Sequence, residues 1–446
     1  MKKFIIIIIA MIIIIFSCAK NENPTGTGDQ QPTQLPTSIQ TSTTPSILTS
    51  TPTFIQTSTT PSIPTSTPTS LSSAIKFEKS FGGNSIDEGS SIQQTTDGGY
   101  IIAGFTNSFG ASGYNGYLVK TDSFGNTIWS NTFGGNGSDQ LNFVRQTVDS
   151  SGYIIIGSTD SYGVPGYKNI YLVRTNNNGT AIWTKAFGEN KYNCYGKSVH
   201  QTSDDGYFIV GTKEYTGGFG YTTDVFLIKT DNIGTMTWSK TIGGSSIDNG
   251  FFGQQTKDGG YIVIGQTFSY GAGNSDIYLI KIDNSGNTVW SKTFGGTSVD
   301  VGYSIQQTKD EGYIIVGKTT SYGAGDYDVY LIKTDSSGNI QWSKTFGGTN
   351  ADEGNSVQQT IDGGYIIAGY TTSYGAGDYD VYLIKTDSSG NIQWSKTFGG
   401  NSSDSGSWVQ QTADGGYIIT GSTKSFSANG DYDIYLIKTD SNGNVN

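Results

Sequence analysis

The sequence is poor in the residues that mark several common classes of protein. It has 446 residues but only two cysteines, Cys18 and Cys194, so it cannot carry a disulfide framework. Charged residues make up only 14% of the chain, and no basic run follows Lys2 and Lys3. Together with a net charge of −11, this excludes nucleic acid as an expected partner. No HExxH, CxxC or P-loop pattern occurs, so the sequence predicts no zinc site, no nucleotide site and no cofactor.

Proline is also scarce, and its distribution divides the chain. Eight of the nine prolines fall between residues 19 and 73. The 63 glycines keep no three-residue period, which excludes collagen, and the 13% of aromatic residues exclude disorder over most of the chain. Abundant glycine and aromatic residues with little charge predict many short strands joined by tight turns.

The first 20 residues have the pattern of an export signal. A basic start precedes an apolar run at 4–16, which is shorter than the roughly 20 residues of a spanning helix. The sequence Ile15-Phe16-Ser17-Cys18 resembles a bacterial lipobox, which implies that residues 1–17 are a lipoprotein signal peptide and that Cys18 is the site of lipid attachment. We therefore expect an extracytoplasmic protein, anchored to the cell membrane or the outer membrane. An uncleaved anchor helix with an incidental cysteine is the alternative.

Residues 18–73 are rich in Thr, Ser and Pro and repeat themselves. QTSTTPSILTSTPT at 40–53 returns as QTSTTPSIPTSTPT at 56–69. Such tracts cannot build a core and resemble cell-surface stalks. We expect a disordered tether that holds a folded domain away from a membrane.

From residue 74 the chain is a tandem array, and its tryptophans give the period. They recur 52 to 55 residues apart, at Trp129, Trp183, Trp238, Trp290, Trp342 and Trp394. Phe77 lies 52 residues before Trp129 in the same frame, so residues 74–446 contain seven units. Each unit has four strand-like runs separated by turn sequences. Seven such units predict an all-β fold, a seven-bladed β-propeller of four-stranded antiparallel blades; a β-solenoid, which needs shorter coils, is the alternative.

The array begins and ends inside the strand that carries the tryptophan. The C-terminal GNVN is continued by AIKFEKSFGG from the start, so we expect the two segments to complete one blade and close the ring. The recurring WSKTFGG and DGGYIIAG motifs resemble those of bacterial exported proteins with propeller repeats of the SBBP type. That resemblance implies the fold and says little about function. Kelch repeats and sialidase Asp boxes fit less well, because their residue spacings differ.

Three acidic or amide positions recur around the array. The first follows the double glycine and comprises Asp87, Asp139, Asn193, Asp248, Asp300, Asp352 and Asp404. The second precedes the YLIK strand and comprises Asn115, Asn169, Asp224, Asp276, Asp328, Asp380 and Asp433. The third opens the SSGN turn, as Asp387 does. Calcium sites are one interpretation, but Asx turns are favoured, because Asn replaces Asp and no DxDxDG loop is present. No metal site is predicted.

Candidate catalytic residues are few. The single histidine, His200, stands where other units carry Gln and is interpreted as a strand substitution. Cys194 is placed at a position that is Glu, Val or Ser in other units and is interpreted as a buried structural cysteine. Carboxylates that meet across the central channel, as general acid and base or nucleophile, remain an alternative. The second and third units depart most from the repeat, so they are where a specific site, if one exists, is expected; relaxed drift of these units is the alternative.

The two longer joints of each unit are expected to emerge on one face, which carries aromatic residues suited to ligand binding. The candidate binding residues are Tyr162, Lys168, Lys191, Tyr192, Tyr215, Tyr221, Tyr270, Tyr322 and Tyr374. Packing of these rings between neighbouring blades is the alternative.

The sequence favours a monomeric, lipid-anchored cell-surface propeller that acts as a binding or interaction scaffold for a protein or a polysaccharide, without catalysis. Its expected partners are that ligand and the membrane, through lipidated Cys18. The alternatives are a carbohydrate-active hydrolase or lyase that uses channel carboxylates, and a passive surface spacer or coat protein.

Overall fold

Seven antiparallel sheets of four strands form a ring in the computed structural model, which describes residues 75–216 and 222–445. This confirms the predicted seven-bladed propeller. The expected signal peptide, the tether, Cys18 and Tyr221 lie outside the described residues. Within the described part of the chain, no helix is long and apolar enough to cross a membrane.

Each sheet, or blade, contains four strands in meander order. The first strands are β2 (Asp87–Gln94), β6 (Asp139–Gln146), β10 (Tyr192–Gln201), β14 (Asp248–Gln255), β18 (Asp300–Gln307), β22 (Asp352–Gln359) and β26 (Asp404–Gln411). The second strands are β3 (Tyr100–Thr106), β7 (Gly152–Thr159), β11 (Tyr207–Tyr215), β15 (Tyr261–Thr267), β19 (Tyr313–Thr319), β23 (Tyr365–Thr371) and β27 (Tyr417–Thr423). The third strands are β4 (Asn115–Thr121), β8 (Asn169–Asn176), β12 (Thr222–Thr230), β16 (Asp276–Ile282), β20 (Asp328–Thr334), β24 (Asp380–Thr386) and β28 (Asp433–Thr439). The fourth strands are β5 (Thr127–Phe133), β9 (Ala181–Phe187), β13 (Met236–Ile242), β17 (Thr288–Phe294), β21 (Ile340–Phe346), β25 (Ile392–Phe398) and, in the last blade, β1 (Phe77–Phe81).

We number the blades from 1 (β2–β5) to 7 (β26, β27, β28 and β1). The first strand of each blade packs against the first strands of both neighbouring blades, so the seven first strands surround the channel. The second and third strands carry nearly continuous apolar runs and are buried, as the central strands of each blade. The fourth strands alternate between exposed and partly buried residues, because only one of their faces is covered.

The ring is closed by the two ends of the array, as predicted. β1 pairs antiparallel with β28, with Phe77 opposite Lys438. The ring of Phe77 lies 6.2 Å from that of Tyr100 in blade 1. In the other blades the repeated tryptophan makes the same contact with the next blade, as Trp394 does with Tyr417 at 5.8 Å. Phe77 therefore takes the place of the seventh periodic tryptophan.

A buried cation in the third strand of every blade pairs with the Asp of the first tight turn. Lys385 Nζ lies 2.8 Å from Asp362 Oδ2, and it also donates to the backbone oxygen of Thr386. Blade 2 uses Arg174 and Asp149 instead. The lysine of the YLIK motif and the aspartate of the DGG turn are thus explained as one structural ion pair per blade.

The strand register places both longer joints on one face of the ring. Asp352 at the start of a first strand pairs with Thr371, which in turn pairs with Asp380 at the start of the third strand. The segments that precede Asp352 and Asp380 therefore emerge together, on what we call the long-joint face. The tight turns lie at the opposite end of the strands, on the tight-turn face.

Candidate functional site

The walls of the channel follow one repeated pattern, because all seven first strands have a β-bulge at the same place. The register shifts between Gly354 and Ser356 in blade 6, and equivalent shifts occur in the other six blades. A bulge adds one unpaired residue and re-aims the side chains that follow it. The last two residues of each first strand, which are Gln-Gln in five of the seven blades, therefore lie at the same level in every blade, toward the tight-turn face.

The last glutamine of each first strand forms part of a belt around the channel. Its side-chain Oε1 accepts a hydrogen bond from a backbone N–H of the neighbouring blade at 2.8–3.0 Å. The seven acceptors are Gln94, Gln146, Gln201, Gln255, Gln307, Gln359 and Gln411. The belt thus has one bond at every blade junction, and these glutamines are structural.

The preceding glutamine makes a similar bond in the opposite direction in four blades. Gln93, Gln306, Gln358 and Gln410 accept the backbone N–H of the next first strand at 2.6–2.7 Å. Blades 2 and 3 break this pattern with Arg145 and His200. A guanidinium has no acceptor, and the Nδ1 of His200 is buried without a hydrogen-bond partner. These two junctions, and the one that follows Gln254 in blade 4, therefore lack a bond that the other four junctions have.

Arg145 is held against aromatic rings instead of a carboxylate. Its Cζ lies 4.1 Å from the ring centre of Phe143 and 5.2 Å from that of Trp408. Its Nη1 donates to the backbone oxygen of Val144 at 3.1 Å. Burial alone lowers the pKa of Arg145 to about 9, which still leaves the side chain charged at neutral pH. In the part of the chain that the structure describes, no acidic group forms an ion pair with Arg145.

Three aromatic rings meet in the channel beside Arg145. The rings of Phe143, Phe252 and Trp408, from blades 2, 4 and 7, have centroids 4.9–5.4 Å apart. The other four blades carry Ser at this position, and each serine Oγ accepts a backbone N–H of the next blade at 3.1–3.4 Å. Because rings from non-adjacent blades touch, they cross the axis and fill the channel at this level. This aromatic cluster is not repeated elsewhere in the ring.

A cavity of about 170 Å³ lies on the tight-turn side of the aromatic cluster. It is lined by Arg145, Phe252, Trp408 and the glutamines Gln254, Gln306, Gln358 and Gln410, with Ser304 and three aliphatic residues. None of its lining residues is a carboxylate. The cavity therefore offers a cation, aromatic surfaces and amides, which can bind a small anionic group but cannot supply the acid and base pair of a glycosidase.

The third blade adds two further nitrogen groups on its first strand. Burial, followed by the nearby charge of Arg145, lowers the pKa of His200 to about 4, so its ring is neutral at pH 7. Lys197 is the bulge residue of the same strand, and burial lowers its pKa as well. The second and third units thus contribute the charged and titratable channel residues Arg145, Lys197 and His200, whereas the aromatic residues Phe252 and Trp408 come from the fourth and seventh. The sequence patterns did not point to Arg145. Trp408 could have indicated the site, because it lies outside the regular spacing of the other tryptophans.

The predicted aromatic residues do lie on the long-joint face, but their hydroxyls are engaged. Tyr374 donates to the backbone oxygen of Gly347 at 2.8 Å, and its half-exposed ring packs on Tyr382 with centroids 5.7 Å apart. The same two contacts occur for Tyr162, Tyr270 and Tyr322. These rings hold the double-glycine segment that leads into their own blade.

The predicted residues of blade 3 come together at one end of longer strands. Tyr192 pairs with Tyr215, and their rings are 5.4 Å apart. Lys191 is exposed with a left-handed φ of 74°, and its backbone oxygen accepts two bonds from Thr216. Lys168 of blade 2 bonds through its backbone N–H to Asn193 Oδ1 at 3.0 Å, and its Nζ forms an ion pair with Asp160 at 2.7 Å.

The recurring aspartates stabilise turns and blade junctions. Asp352 Oδ2 accepts bonds from the backbone of Gly348 and from Ser373 Oγ, at 2.8 and 2.7 Å. Asp387 Oδ1 accepts two backbone N–H groups of its own turn. Among the described residues, no group of three or more His, Cys, Asp or Glu could hold a metal ion.

Cys194, not Asn193, occupies the buried aspartate position in blade 3, which corrects the alignment made from the sequence. The backbone N–H of Cys194 bonds to the backbone oxygen of Lys168 at 2.8 Å, as that of Asp352 bonds to Tyr327 at 2.7 Å. The joint that leads into blade 3 is one residue longer than in other blades, so counting forward from the preceding strand misses the register. Cys194 is fully buried, as expected of a structural cysteine.

Comparison with known proteins adds little to this geometry. No protein-family model matches the chain. The regulatory protein FlaEY of Caulobacter vibrioides is 26% identical in an alignment 190 residues long, which covers 35% of this chain and 20% of that protein. The matched segment therefore spans a fifth of that relative's length.

Two solved structures show a general similarity. The Pan2 WD40 domain of Neurospora crassa has 10% identity and a TM-score of 0.47, covering 81% of this chain and 96% of that one. Sqt1 from Chaetomium thermophilum has 13% identity and a TM-score of 0.43, covering 76% and 82%. Similarity at these levels carries no information on the ligand.

Proposed function

We propose that the chain is a lipid-anchored, extracytoplasmic binding protein that holds its ligand in the propeller channel. The observation that carries the proposal is Arg145, a partly buried cation beside a cavity, with no ion-pair partner among the described residues. Withdrawing an unpaired charge from water is unfavourable, and Arg145 also replaces a glutamine that joins two blades elsewhere in the ring. Binding of an anionic ligand would offset this cost, which supports a binding role for the residue.

Binding is favoured over hydrolysis because the cavity lining holds no carboxylate and the first-strand carboxylate Glu353 is already engaged. Glu353 Oε2 lies 2.7 Å from Lys318 Nζ and accepts a bond from Tyr370 at 3.2 Å. A passive spacer would have no need for a non-repeated charged site inside the ring.

Anchoring is proposed from the lipobox-like sequence at Cys18 and the Thr/Ser/Pro-rich residues 18–73. It can be tested by labelling cells with a radioactive fatty acid and separating membranes from soluble protein. We expect the wild type to be labelled and membrane-bound, and Cys18→Ser to lose both the label and membrane attachment. A Cys18→Ser protein that stays in the membrane would support the anchor helix instead.

Ligand binding can be tested by probing glycan and peptide arrays with the full-length protein in detergent. Arg145→Gln is the critical variant, because it restores the residue found at this position in most blades. We expect wild-type binding that is lost in Arg145→Gln and kept in Arg174→Lys, which introduces the lysine that other blades carry outside the channel. Binding that is equal in all three proteins would contradict a channel site, and no binding would favour the passive spacer.

A further inference from the structure

The amide groups around the cavity have a defined orientation. The Oε1 atoms of Gln306, Gln358 and Gln410 each accept a backbone N–H at 2.6 Å. An amide NH₂ group could not accept these bonds, so the oxygen and nitrogen positions are determined by chemistry. Each of these oxygens is thereby engaged by one donor, and the Nε2 groups of these lining residues remain available as donors.

Arg145 and Ser304 add further donors to the cavity. Arg145 has five N–H groups, and one of its nitrogens bonds to the backbone oxygen of Val144. Ser304 Oγ already accepts the N–H of Val357, which leaves its own O–H to donate. The side-chain amide of Gln254, which also lines the cavity, can donate or accept. A cavity in which most free polar groups are donors around a positive charge favours a ligand rich in acceptor oxygens and negative charge.

The volume of the cavity and its aromatic walls indicate what kind of ligand carries the negative charge. A cavity of about 150 Å³ can hold one benzene-sized ring, and this one measures about 170 Å³. Phe252 and Trp408 provide flat apolar surfaces against which a ring can pack. Free amide donors suit ring hydroxyls as well as the anionic group.

We infer that the cavity binds an oxyanion carried on a single sugar ring, such as a uronate unit at the end of an acidic polysaccharide. The inference rests on the proposed binding function and specifies its ligand class. The oxyanion lies against the Arg145 guanidinium and the glutamine Nε2 groups, and the sugar ring packs on Trp408. A carboxylate and a sulfate ester share this chemistry, and the experiment distinguishes them.

The test uses full-length protein in detergent and measures dissociation constants by calorimetry or ligand-observed NMR. The probes are galacturonate, galactose 6-sulfate, galactose and inorganic sulfate. We expect one of the two acidic sugars to bind at least about tenfold more tightly than galactose and than inorganic sulfate, as a charge-assisted contact on a ring requires. Arg145→Gln should lose about tenfold or more of this affinity, and Arg174→Lys should keep it.

Loss of binding through misfolding is controlled by a second variant. Trp408→Ser introduces the residue that four blades carry at this position, so it should fold and still lose affinity for the acidic sugar. Thermal unfolding of each variant checks the fold. Equal binding of galactose and the acidic sugars, tightest binding of inorganic sulfate, or unchanged affinity in Arg145→Gln would each overturn the inference.

Failure of this inference can be told apart from failure of the proposed function. If a ligand on the arrays is bound in an Arg145-dependent manner and no acidic sugar binds, the ligand class is wrong and the channel remains a binding site. If neither the arrays nor the sugars show Arg145-dependent binding, both proposals are wrong.

Discussion

Gln94 in the first blade accepts a hydrogen bond of 2.9 Å from the backbone N–H of Ala413 in the last blade. This bond joins residues 319 positions apart and completes the seven-membered glutamine belt. The belt and the pairing of β1 with β28 are two separate closures of the ring, one at the channel and one at the rim. The rim closure can be removed without touching the belt.

Deleting residues 74–83 should weaken the last blade and loosen the ring. The deletion removes all of β1, including Phe77 and Phe81, which pack against the apolar cluster shared by blades 7 and 1. Loss of a packed Phe costs about 3–5 kcal/mol, so we expect a large drop in the free energy of unfolding, measured by urea denaturation. Deleting 40–53, whose sequence is repeated at 56–69, is the control and should leave the unfolding of the propeller unchanged. Equal stability of both deletions would show that the belt alone holds the ring closed.

Arg145→Gln should stabilise the protein while it abolishes ligand binding. The new Oε1 can accept the backbone N–H of Gln201, as Gln93 accepts that of Gln146 at 2.7 Å in the preceding junction. One such bond contributes about 1 kcal/mol, and removal of the buried charge adds to the gain. Urea denaturation measures the effect. The reciprocal change Gln358→Arg should destabilise by a similar amount, and a loss of stability in Arg145→Gln would mean that the arginine serves folding.

Asp380→Asn should raise stability near neutral pH. Burial raises the pKa of Asp380, the charge of Asp404 adds to the shift, and two backbone N–H donors oppose it. A carboxyl with a raised pKa in the folded state stabilises at acidic pH, and this contribution is lost as pH rises through that pKa. An asparagine at position 380 does not ionise and so avoids this loss of stability. Asn169, at the equivalent position of blade 2, shows how the amide is accommodated: its Nδ2 donates to two backbone oxygens at 2.7 and 3.2 Å.

Unfolding measured from pH 4 to pH 7 checks this expectation. The stability of the wild type should fall with pH more steeply than that of Asp380→Asn. Asp404→Asn is the matched control, because Asp404 accepts bonds from Gly400, Thr423 and Ser425, and an amide nitrogen cannot accept them. That variant should lose about 1–3 kcal/mol at all pH values. Parallel pH curves for the wild type and Asp380→Asn would contradict the assignment.

Cys194 should resist thiol reagents in the folded protein. Its side chain is fully buried, and burial raises the pKa of its thiol to about 11, so the reactive thiolate is scarce. In a Cys18→Ser background, a chromogenic disulfide reagent should react with one thiol in denaturant and with almost none in buffer. Rapid stoichiometric reaction of the native protein would show that blade 3 opens locally.

Blade 3 shows where inference from the sequence stopped. The sequence pattern placed Asn193 at the buried acidic position. The joint into blade 3 has one extra residue, so a count forward from the preceding strand falls one residue short. Hydrogen bonding places Cys194 there, because Gly196 pairs with Gly211 across the strands and the bulge follows at Lys197. The joints differ in length between units, whereas the register of strand pairing is the same in every blade.

The sequence by itself determined the period, the four strands of each blade, the tight turns and the closure of the ring. These features follow from local patterns of alternation and turn chemistry that recur seven times, so each unit supports the assignment of the others. Only the tertiary structure decided the candidate site. Phe143, Phe252 and Trp408 are 109 and 156 residues apart in the chain and meet because a closed ring brings non-adjacent blades to one axis. Within residues 75–216 and 222–445, Arg145 has no ion-pair partner, and this likewise depends on what the other six blades place around it, which no single unit encodes.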